Sequence, residues 1–169
     1  MLLLTSLVMG CSAVLDSGNG LDYTPSVKSV AGARSDAEEV SSRLFDIISV
    51  QGEASEPGPG VTECEADPEM ERLYKINHPW SITGASRETL REGMDRLREQ
   101  LPAEGWEVIE EGEANNANSS PVILFENRDV EFAAHVMLRG KTDEDSLLHV
   151  SLVSACFSTP EGESPSGSY

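Results

Sequence analysis

Between Trp106 and Cys156 the chain runs through four consecutive stretches of alternating apolar and polar residues, broken only by short polar segments. The stretches are 106–110, 122–126, 130–139 and 147–156, and the breaks are Gly112 to Ser120, Asn127-Arg128-Asp129 and Gly140 to Asp145. A period of two places every second side chain on one side of a pleated strand. Breaks this short cannot carry a crossover, so successive strands must be antiparallel neighbours. A sheet with one apolar face then needs a second layer to cover it.

The cover lies upstream. Ser35-Asp36-Ala37-Glu38 reads as a capping box, and Val40, Leu44, Ile47 and Ile48 follow on one helical face, ending near Val50 before Gly52. A second helix opens at Ser86 with Leu90, Met94, Leu97 and Leu101 as its stripe, worth roughly 6–12 kcal/mol of gross burial before entropy. Its outer face interleaves Arg91, Glu92, Arg96 and Glu99, with Glu92 and Arg96 spaced to pair at i+4. Pro102 and Gly105 stop it. Between the helices Tyr74, Ile76, His78, Trp80 and Ile82 alternate as a further strand, whose Pro79 implies an edge or a bulge. The order is α, β, α, β, β, β, β. The predicted fold is α+β: a two-layer sandwich in which an antiparallel sheet of about five strands carries two helices on one face. Residues 51–71, rich in Pro, Gly and Glu, form a connection long enough to need pinning.

Charge narrows the partners. Thirty acidic residues against 12 basic give a formal net charge of −18, spread along the chain. Nucleic acid is excluded as a partner, because counterion release needs clustered Lys and Arg. Anionic lipid surfaces are repelled for the same reason.

Residues 1–10 are uncharged and mostly apolar, too short to span a bilayer but suited to the apolar core of a signal peptide. Leu7-Val8-Met9-Gly10-Cys11 resembles the lipobox of bacterial lipoproteins, although Met9 is bulkier than that position usually holds. The resemblance implies that residues 1–10 are cut away and that Cys11 carries acyl chains in a membrane, giving the two-chain anchoring that one chain cannot. The absence of a basic leader before the apolar run implies a start upstream of Met1. Residues 11–34 then read as a solvated tether reaching roughly 25 Å, residues 35–157 as the acidic domain, and residues 158–169 as a disordered tail. Further features join this start: Trp80 ahead of a helix that ends in Leu101-Pro-Ala-Glu-Gly-Trp106, and a late Cys in the last strand. Together they resemble Streptomyces-like actinobacterial secreted lipoproteins, which implies a location on the outer side of the cell membrane.

With Cys11 lipidated, Cys64 and Cys156 remain in a compartment where thiols oxidise, and they are expected to pair. Two unrelated buried thiols are the competing account.

No catalytic spacing stands out. His78, His135 and His149 fall in separate strands without a second ligand at metal spacing, and Asp143-Glu144-Asp145 lacks the spaced oxygens of a calcium loop. No metal, cofactor or nucleophile motif is predicted. Tyr74, Trp80 and Trp106 could form an exposed shelf for sugars or peptides if the first two strands are neighbours; otherwise they are core. Three classes stay open. The first is a non-enzymatic domain binding an envelope protein or a cell-wall component by the sheet face or edge. The others are a small-ligand carrier with a hollow between helices and sheet, and an envelope hydrolase using paired carboxylates.

Overall fold

The structure is a computed structural model that describes residues 21–165, except 56, 117 and 118. Its elements are α1 (Val30–Ile48), β1 (Glu53–Ala54), β2 (Gly60–Glu63), β3 (Leu73–Thr83), α2 (Arg87–Gln100), β4 (Glu107–Glu113), β5 (Pro121–Asn127), β6 (Phe132–Arg139), β7 (Leu147–Ser154) and β8 (Phe157–Ser158), with a 3-10 turn at Leu101–Glu104. The fold is α+β, one open antiparallel sheet with two helices. It has eight strands instead of about five. The extra three are short: β1 and β2 come from the long 51–71 connection, and β8 continues the last strand past a break.

The strand order is β1-β3-β7-β6-β5-β4, with β2 beside β1 on the outer edge of β3 and β8 beside β7 on its inner edge. The meander β4 to β7 forms as expected, but β3 joins its far end through β7. Successive antiparallel pairings make β3 and β4 parallel, as a helical crossover requires. The connection through α2 therefore spans three strands.

Pro79 lies inside the sheet, paired with Ser151 of β7. Its missing donor costs nothing on that side. The Ser81 N–H faces Ser55 and the Ile76 N–H faces Ser154, so alternation turns the Pro79 nitrogen toward the outer edge of β3, at a position where β1 has ended and β2 has not begun.

Helix α1 begins five residues before the predicted capping box. Ser29 is the N-cap, its side chain accepting from the Gly32 N–H at 3.2 Å. Buried Val30, Ala33 and Ala37 extend the apolar stripe upstream, and a capping box cannot stop a helix whose preceding turn also packs. The tether boundary at 34 moves accordingly. Residues 26–28 zip against the C-terminal segment through Lys28 N–H to Ser158 O and Ser158 N–H to Ser26 O, both 2.9 Å. The same contacts order the start of the expected tail, where Thr159 is buried and its N–H donates to Arg72 O. Composition hid this, because each segment supplies the backbone partners of the other.

Helix α2 starts at Ser86 as predicted, its Oγ accepting from the Thr89 N–H. Leu90, Met94 and Leu97 face the core, and Leu101 of the 3-10 turn is fully buried. Gly93 permits the two helices to touch: a Cβ there would come within 2.9 Å of Ile48 Cγ2 and Val50 Cγ2. Arg96 does not pair with Glu92. Its Nε donates to Ile48 O at 2.9 Å, closing the C-terminus of α1, while Arg98 binds Asp95 and Glu111.

Cys64 and Cys156 form a disulfide with Cα atoms 5.7 Å apart. The bridge fastens the end of β2 to the junction of β7 and β8, which is the pin that the 51–71 connection needed. Among the described residues one core cluster fills the space between helices and sheet.

Candidate functional site

The aromatic shelf does not form. Tyr74 is fully buried and donates its hydroxyl hydrogen to Lys28 O at 2.9 Å. Burial first, with Asp36 and Glu163 adding to it, pushes that phenol up to about 12. Trp80 and Trp106 are each 6% exposed; Trp80 lies in β3 and Trp106 just ahead of β4, and three strands separate β3 from β4, so the neighbouring-strand premise fails. Cys11 lies outside the described residues.

The two indoles instead wall two clefts that flank α1. The cleft beside Trp80, about 470 Å³, is bounded by Phe45, His78, Pro57 and Pro59. Phe45 meets Trp80 edge-on with ring centres 6.1 Å apart. Here the fold joins residues with no sequence motif: His78 Nδ1 lies 2.9 Å from Ser41 Oγ, and His78 Nε2 lies 2.8 Å from Pro57 O. A carbonyl only accepts, so Nε2 carries the proton and Ser41 donates to Nδ1. Ser41 in turn accepts from the Trp80 indole N–H at 3.2 Å. This hydroxyl–imidazole pair resembles an activated nucleophile only in part. Ser41 sits mid-helix, where backbone N–H groups are spent on α1 itself and cannot stabilise an oxyanion. The network braces Pro57 against α1.

The cleft beside Trp106, about 420 Å³, lies between α1 and the β5–β6 turn. Its floor is apolar, formed by Val40, Leu44, Trp106 and Phe132. Its rim is charged. Arg43 makes a close two-pronged pair with Glu104, and Lys28 binds Asp36 at 2.9 Å and Glu131 at 3.4 Å.

A third feature is the sheet face turned away from the helices. Register places Ser81, His149, Met137 and Val122 in one row across β3, β7, β6 and β5, and Pro79, Ser151, His135 and Leu124 in the next. The row below holds Asn77, Val153, Ala133 and Glu126. Most of these side chains are half-buried by one another, with no helix above them. His149 Nδ1 lies 3.0 Å from Ser81 Oγ, and its pKa is lowered by burial first and then by Arg139 and His135, so the ring stays neutral at neutral pH.

The remaining acidic candidates are turn caps. Asp145 accepts from the N–H groups of Lys141 and Thr142, and Asp143 accepts from the Arg87 N–H. Asp67, Glu104 and Asp145 are shifted downward, the opposite of what a general acid needs. Among the described residues no group of three or more His, Cys, Asp or Glu is placed to hold a metal, and no helix is long and apolar enough to cross a membrane. Neither a known protein family, nor a curated protein sequence, nor a solved structure matches this chain.

Proposed function

We propose that this chain is a lipid-anchored extracytoplasmic binding domain, held to the cell membrane by acyl chains on Cys11, which docks an envelope protein on its open sheet face. One observation carries the reading. In a chain of net charge −18, the centre of that face, from Val122 to Ser81 and from Leu124 to Pro79, bears no charged side chain. Depletion of charge at the centre, with Met present, marks interface cores better than bulk hydrophobicity does. The charges of the face, among them Glu53, Lys75, Glu110, Glu126 and Arg139, sit at its margins, as rim residues do. A protein partner fits better than a glycan, because the tryptophans that would stack on sugar rings are buried. The disulfide agrees with an oxidising compartment.

The domain would stand close to its membrane. Described structure begins at Leu21, and residues 11–20 can span at most about 35 Å even fully extended. Replacing Cys11 by Ser is expected to move the protein from the membrane fraction to the soluble fraction. Docking is tested by a photo-crosslinking residue at Met137 in the native envelope, with the same residue at Arg91 on the exposed side of α2 as control. A discrete protein adduct from position 137 alone supports the reading. Equal adducts from both positions, or none from 137, refute it.

A further inference from the structure

The cleft beside Trp106 lies on the helix side of the molecule, apart from the open sheet face, and three observations make it a built site. The first is an orphan donor. Trp106 is 94% buried, yet its indole N–H, unlike that of Trp80, has no acceptor among the described residues. That nitrogen is also absent from the atoms sealed from solvent without a partner, so it reaches solvent, and Trp106 is one of the residues that line this cleft. A buried indole ordinarily finds an acceptor.

The second is the charge at the mouth. The cationic side chains there are already paired, Lys28 with Asp36 and Arg43 with Glu104. Glu39 and Asp129 line the same cleft with no ion pair or side-chain hydrogen bond among the described residues. The rim therefore presents two uncompensated carboxylates above an apolar floor, in a molecule whose net charge of −18 raises the local concentration of cations. The third is size, since about 420 Å³ lies within the range of small-molecule sites.

We infer that this cleft binds a small organic cation with an apolar body and one hydrogen-bond acceptor. The body packs between Leu44, Phe132 and the Trp106 ring, the acceptor meets the indole N–H, and the cation sits between Glu39 and Asp129 with the ring face available for cation–π contact. An anion is disfavoured at this rim, and a neutral molecule of the same shape forgoes the ionic part of the binding.

The test uses the full ¹⁵N-labelled chain, whose two tryptophans give two indole resonances, assigned with a Trp80→Phe variant. The cation probe is phenylacetylcholine, the choline ester of phenylacetic acid, which carries a phenyl body, an ester acceptor and a fixed charge. The neutral and anionic comparators are ethyl phenylacetate and phenylacetate. The cation should shift the Trp106 indole resonance saturably and leave that of Trp80 in place, about tenfold more tightly than the neutral ester and weakening as salt is raised. Glu39→Gln with Asp129→Asn should weaken binding about fivefold to tenfold without displacing the unliganded resonances. Three outcomes would overturn the assignment: equal binding of phenylacetate, equal binding of the neutral ester, or no saturable shift at about 20 mM probe. Crosslinking from the sheet face is unaffected by any of them.

Discussion

Removing the Cys64–Cys156 bridge gives the most quantitative check on how this body is held together. The cysteines are 92 residues apart in sequence, and the loop they close includes β3, α2 and the whole β4 to β7 meander. The chain-entropy relation gives about 4.6 kcal/mol at 25 °C for a loop of that size. Little packing is lost with it, since Ser nearly fills the same space at each position. For a cooperative unit of this length, with an unfolding entropy of about 0.3 kcal/mol/K, the loss corresponds to a fall in Tm of roughly 15 °C. The bridge also holds Cys156 where its N–H donates to the Tyr23 hydroxyl at 2.9 Å, so the N-terminal segment 21–29 should loosen first. The assay is thermal and urea unfolding of Cys64→Ser/Cys156→Ser against the oxidised parent, with hydrogen exchange at residues 21–29 as the local readout. A loss below about 1 kcal/mol, or a Tm change under about 3 °C, refutes the reasoning. The single Cys64→Ser variant should match the double one; a much larger loss in the single variant would mean that an unpaired buried thiol, and not chain closure, carries the effect.

Two further outcomes follow from local geometry. Gly93→Ala should destabilise by about 1–2 kcal/mol in urea, because its new methyl would press within 2.9 Å of Ile48 and Val50, outweighing the roughly 1 kcal/mol of helix propensity gained. Asp67 is a pH probe: burial raises its pKa, but the N–H groups of Leu73, Arg72 and Glu71 outweigh that and hold it below the usual carboxylate range. A depressed folded-state pKa stabilises above the unfolded value and is lost as pH falls through the folded one. Asp67→Ala should therefore be less stable than the parent at pH 7, with the gap closing as pH drops below the ordinary carboxylate range in paired melts; a gap independent of pH counts against the assignment.

Local pattern alone determined a good deal of this protein. The period-two runs from Trp106 to Cys156 specified the meander, and the Leu90-Met94-Leu97-Leu101 stripe and Ser86 specified α2, because each is a property of neighbouring residues and the solvent they face. The pairing of Cys64 with Cys156 was also legible, from a count and an expected compartment. Only tertiary structure decided that β3 joins the sheet beside β7, that Ser29 and not Ser35 begins α1, and that 21–29 and 158–159 complete each other's backbone pairing. It also divided Trp80 and Trp106 between two clefts, brought Ser41 to His78, and left the Trp106 indole N–H without an acceptor among the described residues. These depend on which distant segments meet, and that choice is made by burial of the whole apolar surface at once, which no window of sequence contains.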